Sequence, residues 1–328
     1  MTNIYNMGGA ALQSQKKTYE IAKQLGINEL GVFYYDYGNE PENELNSRLD
    51  GVLASVWHND IVFIQSPIWN GVRWERTLIS KLRRYVNIRI VMYVHDVVPL
   101  LFNTEEEMLR EVIDNYNQAD LIIVPSQEMW ELLCRYGLKV KKYLVQQIWD
   151  FPVSIELEKP NFYKRLFFLG EPSRFDFVNN WDKPTPIIQY SRQPVENGNV
   201  IMRGFKNENE LLIDMSKGGY GLVWTSGGEN FTGTPYYKLL QPYKLANYLA
   251  AGIPVIMEKG LAPEEVVLKN GLGFVAKDLE EVNDIVQNTS EEQYNDIVRR
   301  IADFNMLIKN GWFTKKLLSD AIMILLNE

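Results

Sequence analysis

The chain has 328 residues, 46% apolar and 23% charged, the proportions of a soluble globular protein rather than a disordered or fibrous one. At about 150 residues per domain this length predicts two domains. Its 34 Lys and Arg against 42 Asp and Glu leave a formal charge of −8, the reverse of a nucleic-acid binder's basic excess, though an acidic surface still admits a local basic pocket for a small phosphate ligand.

Short β-rich runs alternate with helical spacing from the N-terminus onward. Strands are predicted at 3–5, 30–35, 60–65, 88–94 and 121–124. After the first, Gly8-Gly9-Ala10 opens a helical stretch carrying Lys16 and Lys17. Glycines there let a backbone approach a phosphate or sugar at a helix N-terminus, and they serve a plain tight turn equally well. Neither G-x-G-x-x-G nor G-x-x-x-x-G-K-[ST] is present. The run Val94-His95-Asp96-Val97-Val98-Pro99 falls where a strand ends, the edge at which open α/β sheets hold ligands. Asp96 or His95 is therefore a candidate base for a substrate hydroxyl; the structural alternative is a turn cap and a packed imidazole. Thr104 and Glu107 have capping-box spacing ahead of a helical face at Met108, Leu109, Val112, Ile113 and Tyr116. A further helix begins near Ser126 and stops at Gly137.

Periodicity lapses over 149–164, between Pro152 and Pro160, and this stretch reads as an interdomain linker. A second series follows, with strands at 165–170, 186–190, 200–204, 220–224, 254–257 and 273–275 and helices at 208–215, 243–251, 263–269 and 279–287. Alternation of this kind means parallel sheets covered on both faces. The expected architecture is α/β: a Rossmann-like lobe over 1–152, a second over 153–311, a cleft between them, and a last amphipathic helix over 312–328 that joins the first lobe.

Three places in the second lobe hold candidate ligand residues. Phe168-Leu-Gly-Glu-Pro-Ser-Arg174 ends a strand, and an Arg there can grip a diphosphate with two parallel hydrogen bonds; Asn179 follows shortly after. Tyr220, in Gly218-Gly219-Tyr220-Gly221, has a ring suited to stacking on a base, or to the core. The run from Tyr243 to Ile256 is the most informative. Its helix starts near Pro242 and ends at Gly252, and Lys244 and Asn247 share a face near its start. A Lys in the first turn opposes the helix dipole unless an anion sits there, so Lys244 marks a phosphate site.

One cysteine, Cys134, and two distant histidines, His58 and His95, leave no basis for a disulfide or a Cys- or His-rich metal site. No secretory leader and no membrane-length apolar run is recognised, so a cytoplasmic protein is expected.

Together K-L-A-N-Y-L-A-A-G-I-P-V-I, G-Y-G-L-V-W, F-L-G-E-P-S-R and V-H-D-V-V-P-L resemble GT-B-fold glycosyltransferases. Within that group the chain is similar over its whole length to the glucosyltransferases of the serine-rich-repeat adhesin glycosylation pathway of Gram-positive bacteria. The resemblance implies transfer of glucose from UDP-glucose to GlcNAc already attached to Ser or Thr of the adhesin, by a homo-oligomer such as a tetramer. It implies a UDP-sugar site formed by Arg174, Tyr220 and the helix start Lys244, Leu245, Ala246, Asn247, Tyr248 and Leu249, with Lys16 reaching it from the first lobe; Gly9 and Asn179 join that site from their positions in the sequence. No E-x7-E pattern precedes Ala250, which leaves inverting and retaining chemistry both open, and the absence of D-x-D agrees with a metal-independent enzyme without a cofactor. Two other classes share these lobes. A non-catalytic partner subunit of a protein O-glycosyltransferase complex would need no intact anion site, and a nucleotide-sugar-modifying Rossmann enzyme would need the missing dinucleotide glycines.

Overall fold

The computed structural model describes residues 1–38, 40–225, 228 and 230–327. The chain divides into two units. The first comprises Met1–Gln147, Glu229–Leu240 and Phe313–Glu328; the second comprises Ile148–Gly228 and Gln241–Trp312. The 229–240 stretch, expected in the C-terminal lobe, therefore packs with the first unit.

In the first unit the elements run β1 (Thr2–Tyr5), α1 (Ala10–Gln24), β2 (Leu30–Phe33), α2 (Glu42–Val52), β3 (Ile61–Ser66), α3 (Val72–Leu82), β4 (Arg89–Val94), α4 (Val98–Leu101), α5 (Glu106–Tyr116), β5 (Leu121–Val124), α6 (Gln127–Arg135) and β6 (Tyr143–Val145). All paired strands are parallel, β1 with β2 and β3-β4-β5-β6 in order. The central strands read as near-continuous apolar runs because helices cover both faces, and Ile90, Met92, Ile122 and Val124 are fully buried. Ser126 caps α6 by accepting from the Met129 N–H, as its sequence position predicts. The Thr104 capping box does not form: α5 starts after Glu105 with no side-chain cap, and the Thr104 hydroxyl turns to Met108 Sδ at 3.6 Å.

The second unit holds β7 (Leu166–Leu169), β8 (Ile187–Tyr190), β9 (Val200–Met202), α7 (Glu208–Ser216), β10 (Tyr220–Val223), α8 (Tyr243–Ala251), β11 (Val255–Glu258), α9 (Glu264–Lys269), β12 (Gly273–Ala276), α10 (Leu279–Asn288) and α11 (Glu291–Lys309). A last helix, α12 (Trp312–Leu326), closes the chain, from Phe313 onward in the first unit. Strand order is β12-β11-β10-β7-β8-β9, all parallel. Numbered from β7, that is the 3-2-1-4-5-6 order of dinucleotide-binding folds, and it reverses between β7 and β10. Loops leaving two neighbouring strands in opposite directions open a crevice at their carboxyl ends, and ligands of open α/β sheets bind there.

The stretch read as a linker is anchored rather than free. The Trp149 indole donates to Gln241 O at 2.8 Å, the Phe151 N–H to Ile308 O at 3.1 Å, and the Asn161 N–H to Lys217 O at 3.2 Å, all within the second unit. Its lack of periodicity reflects irregular backbone packed on a core.

Candidate active site

The carboxyl edge of the second unit is built around the reversal between β7 and β10. β7 delivers Phe168, then a tight loop through Gly170 to Arg174 and Phe175. Glu171 pins that loop by accepting from Ser191 Oγ at 2.6 Å and from the Gln193 N–H at 3.2 Å, both just beyond β8. On the other side of the reversal α8 begins after Pro242 with no side-chain cap, which leaves its first-turn N–H groups facing the same edge. Lys244 lies in that turn. Its Nζ is shielded from solvent and has no hydrogen-bond partner, although part of its stem is exposed. The ammonium rests over the ring faces of Phe175 and Phe168, 3.9 and 4.4 Å from their centroids. Burial lowers its pKa from 10.5 to about 7, and the Arg174 charge acts in the same direction. Two cations turned toward one edge, with no carboxylate paired to Lys244 among the described residues, form an arrangement able to hold an anion.

The rest of α8 has a different task. Leu245, Ala246 and Leu249, with Tyr248, are buried in the core and hold the helix on the sheet. Tyr248 lies across Gly221, and its hydroxyl accepts from the Leu169 N–H and donates to Leu222 O, each at 3.2 Å. The Asn247 amide is turned back to Tyr243 O at 2.9 Å. Tyr220 stands at the amino end of β10, opposite to the ligand edge, fully buried with its ring edge-on to Tyr294 at 5.2 Å. The Asn179 side chain is exposed beyond a short helical turn at Asp176–Val178. Of the six residues proposed from the α8 start, the structure leaves Lys244 with its functional atom at the site. At the ends of β10 and β11, unforeseen from sequence, Thr225 donates from its N–H and hydroxyl to Glu258. Ser226 and Gly227, which follow Thr225, lie outside the described residues.

The carboxyl edge of the first unit carries the second cluster. Gly9 takes φ 98 at the start of α1, a conformation that excludes other residues without strain, and nothing lies within 4 Å of where a Cβ would stand. Lys16 is exposed on α1. His95 is 4% exposed; its N–H donates to Ser66 O at 2.7 Å, and its Nδ1 lies 3.3 Å from Ser14 Oγ on α1. Burial draws its pKa down to about 3, so the imidazole is neutral at physiological pH. Asp96, only partly buried, accepts a 2.7 Å hydrogen bond from the Tyr236 hydroxyl, which in turn accepts from the Val97 N–H at 3.0 Å. Tyr236 arrives on the 229–240 stretch, whose packing against this unit nothing in the local sequence announces. One buried phenol thus fixes a carboxylate oxygen and the backbone beside it. The result is a held acid–base group next to a neutral imidazole.

Comparison with known proteins places the chain in a family. Residues 1–148 match the family model "Glucosyltransferase 3-like, N-terminal domain", and residues 166–321 match "Glucosyltransferase 3-like, C-terminal domain". Glucosyltransferase 3 of Streptococcus gordonii is 42% identical, covering 100% of this chain and 99% of its own length. Glucosyltransferase 3 of Streptococcus parasanguinis is 37% identical, with 97% of each chain covered. Among solved structures, Anabaena HepE in complex with UDP-glucose superposes with a TM-score of 0.68 over 98% of this chain and 99% of its own, at 14% identity, a likeness of fold. The chain is a GT-B-fold protein and belongs to the glucosyltransferase 3-like family of glycosyltransferases.

Proposed function

We propose that the protein transfers glucose from UDP-glucose to GlcNAc already O-linked to Ser or Thr of a serine-rich-repeat adhesin, acting in the cytoplasm as a homo-oligomer. What carries the donor half of this reading is Lys244. A lysine with its ammonium sealed from water and unpaired, in the first turn of an uncapped helix beside Arg174, is costly unless an anion completes it. The relatives named glucosyltransferase 3 and the UDP-glucose bound to HepE favour a nucleoside diphosphate hexose as that anion.

In the mechanism, the glycosidic C–O bond to the β-phosphate breaks as the acceptor hydroxyl oxygen bonds to the sugar's C1. Charge accumulates on the departing UDP, and Lys244, Arg174 and the α8 N–H groups stabilise it, with no metal ion or cofactor required. Asp96 takes the acceptor's proton, one of its oxygens held by Tyr236. His95, buried and neutral, hydrogen-bonds rather than titrates.

A calorimetric titration with UDP-glucose, joined to a transfer assay on a GlcNAc-bearing Ser/Thr peptide, tests both halves. Lys244→Ala is expected to lose donor binding by about 100-fold, the scale of one charge-assisted contact to phosphate. Asp96→Asn is expected to bind donor normally while transfer falls by 100-fold or more, on the order of a lost general base. Wild-type donor affinity in Lys244→Ala would sink the anion-site reading, and unchanged turnover in Asp96→Asn would remove the base.

A further inference from the structure

The loop between β7 and Arg174 does more than carry an arginine. Phe168 and Phe175 meet edge to face, 5.2 Å between centroids at 82°, and form a corner whose two ring faces receive Lys244 Nζ. Phe168 is backed in turn by Phe177 at 4.8 Å. Gly170 is what admits the second ring, because a Cβ there would fall 2.6 and 2.8 Å from Phe175 Cδ2 and Cε2. The sequence F-L-G-E-P-S-R-F thus sets an aromatic corner one residue beyond the arginine.

An ammonium carries three donors, and a ring face satisfies none of them as an oxygen would. Ring faces nonetheless attract a cation through their quadrupole, most strongly where water is excluded. An Asp or Glu in the same place would neutralise the lysine and compete with an incoming phosphate; a ring does neither. We infer that Phe168 and Phe175 are positioning residues for the donor, holding the Lys244 ammonium dehydrated and unpaired until the diphosphate of a nucleotide sugar completes it. This rests on the reading of Lys244 as the diphosphate cation.

The charged group acting on Lys244 is Arg174, from the loop after β7. Flanking Lys244 on α8 are Tyr243 and, one turn on, Tyr248, whose hydroxyl is engaged by backbone on both sides. With Lys244 titrating near 7 in the free protein, donor binding takes up a proton above that pH. Hydrating the ammonium restores an ordinary lysine and abolishes the uptake.

The test is calorimetric titration of the full-length protein with UDP-glucose, whose diphosphate does not titrate in this range, between pH 6.5 and 8.5 in buffers of different ionisation enthalpy. Wild type is expected to take up close to one proton at pH 8.5, with Kd rising toward tenfold per pH unit above pH 7. Phe175→Leu removes the ring face and, being smaller, leaves a gap beside the partly exposed Lys244 stem through which water reaches the ammonium. It is expected to bind about fivefold more weakly at pH 6.5, with donor KM rising in parallel, and to lose most of the pH slope and the uptake. Phe175→Tyr restores both. A wild type that takes up no proton, a result requiring no variant, overturns the inference; so does a folded Phe175→Leu with the wild-type slope. Lys244→Ala separates the levels: undiminished donor binding there refutes the anion site itself, whereas its loss alongside an unaffected Phe175→Leu refutes the aromatic corner alone.

Discussion

Replacing Lys244 by methionine should make the protein more stable and a much weaker binder of its donor. The free lysine has a pKa of 10.5, and burial brings it to about 7 in the fold. With each tenfold change in a protonation equilibrium worth about 1.4 kcal/mol, the native state at pH 7 bears a penalty of up to about 4 kcal/mol for this side chain. Part of the stem is exposed, so a water molecule reaching Nζ on relaxation reduces that figure, and about 2 kcal/mol is the expected gain. Methionine keeps the stem's packing against Phe168 and Phe175 and discards the charge. For a unit of this size such a gain raises the melting midpoint by about 4–8 °C at pH 7. The sign follows from proton counting. Between pH 7 and 10.5 the unfolded chain binds more protons than the native one, so wild-type stability rises with pH across that window and the methionine advantage shrinks toward its upper end. Thermal melts at pH 7 and pH 9, each with and without UDP-glucose, provide the assay. At 100 times the wild-type Kd the donor should stabilise wild type by about 2.7 kcal/mol and Lys244→Met, binding about 100-fold more weakly, by only about 0.4 kcal/mol. A variant that melts below wild type at pH 7, or gains the same increment from UDP-glucose, refutes the reasoning.

Two further perturbations address the supports of the site. His95, with a native pKa of about 3 against 6.5 for a free imidazole, cannot take the proton that the unfolded chain accepts as pH falls below 6.5, so the first unit should lose about 2 kcal/mol between pH 6.5 and 5; urea midpoints across that range should slope less in His95→Gln, and an identical slope would remove His95 as the cause. Gly221→Ala puts a Cβ 2.1 Å from Tyr248 Cγ, so Tyr248 must leave its place between Leu169 and Leu222; overpacking and two broken hydrogen bonds cost about 3 kcal/mol and weaken donor binding, and a thermal midpoint within 2 °C of wild type would contradict the clash.

The second unit's sheet was legible in sequence because strands buried on both faces, such as Leu166–Leu169 and the 255–257 stretch of β11, are uninterrupted apolar runs between helical periods. β6 escaped notice because Tyr143–Val145 is three residues long and half-buried, too brief for any period. Lys244 stood out in the sequence for an electrostatic reason: a cation at the positive end of a helix contradicts the dipole, and the structure leaves its ammonium buried without a hydrogen-bond partner. Tyr220 shows the converse error. Its glycine-flanked context looks the same at either end of a strand, but it precedes β10 and therefore lies at the edge away from ligands. The Tyr236–Asp96 hydrogen bond joins residues 140 apart, and no local pattern encodes so distant a partner.

Phe168 and Phe175, with the part Tyr248 plays in the fold, explain why some of the proposed donor site was unreadable. Each is an aromatic in a buried context, and hydrophobic patterning assigns such residues to the core, where they do reside. Their second task depends on what lies against them rather than on what they are. Tyr248 spends its hydroxyl on the backbones of β7 and β10, the two strands flanking the reversal, and so fixes the N-terminus of α8 to the sheet at the crevice itself. Phe175, admitted by Gly170, fixes the ammonium that projects from that N-terminus. A charge meant to meet a diphosphate needs placement to within about 0.5 Å, and rigid apolar neighbours provide it better than flexible polar ones, because they offer the lysine no alternative hydrogen bond. The core of this unit and its ligand edge are therefore one packing arrangement, in which the aromatic residues that stabilise the fold also keep one cation short of a partner.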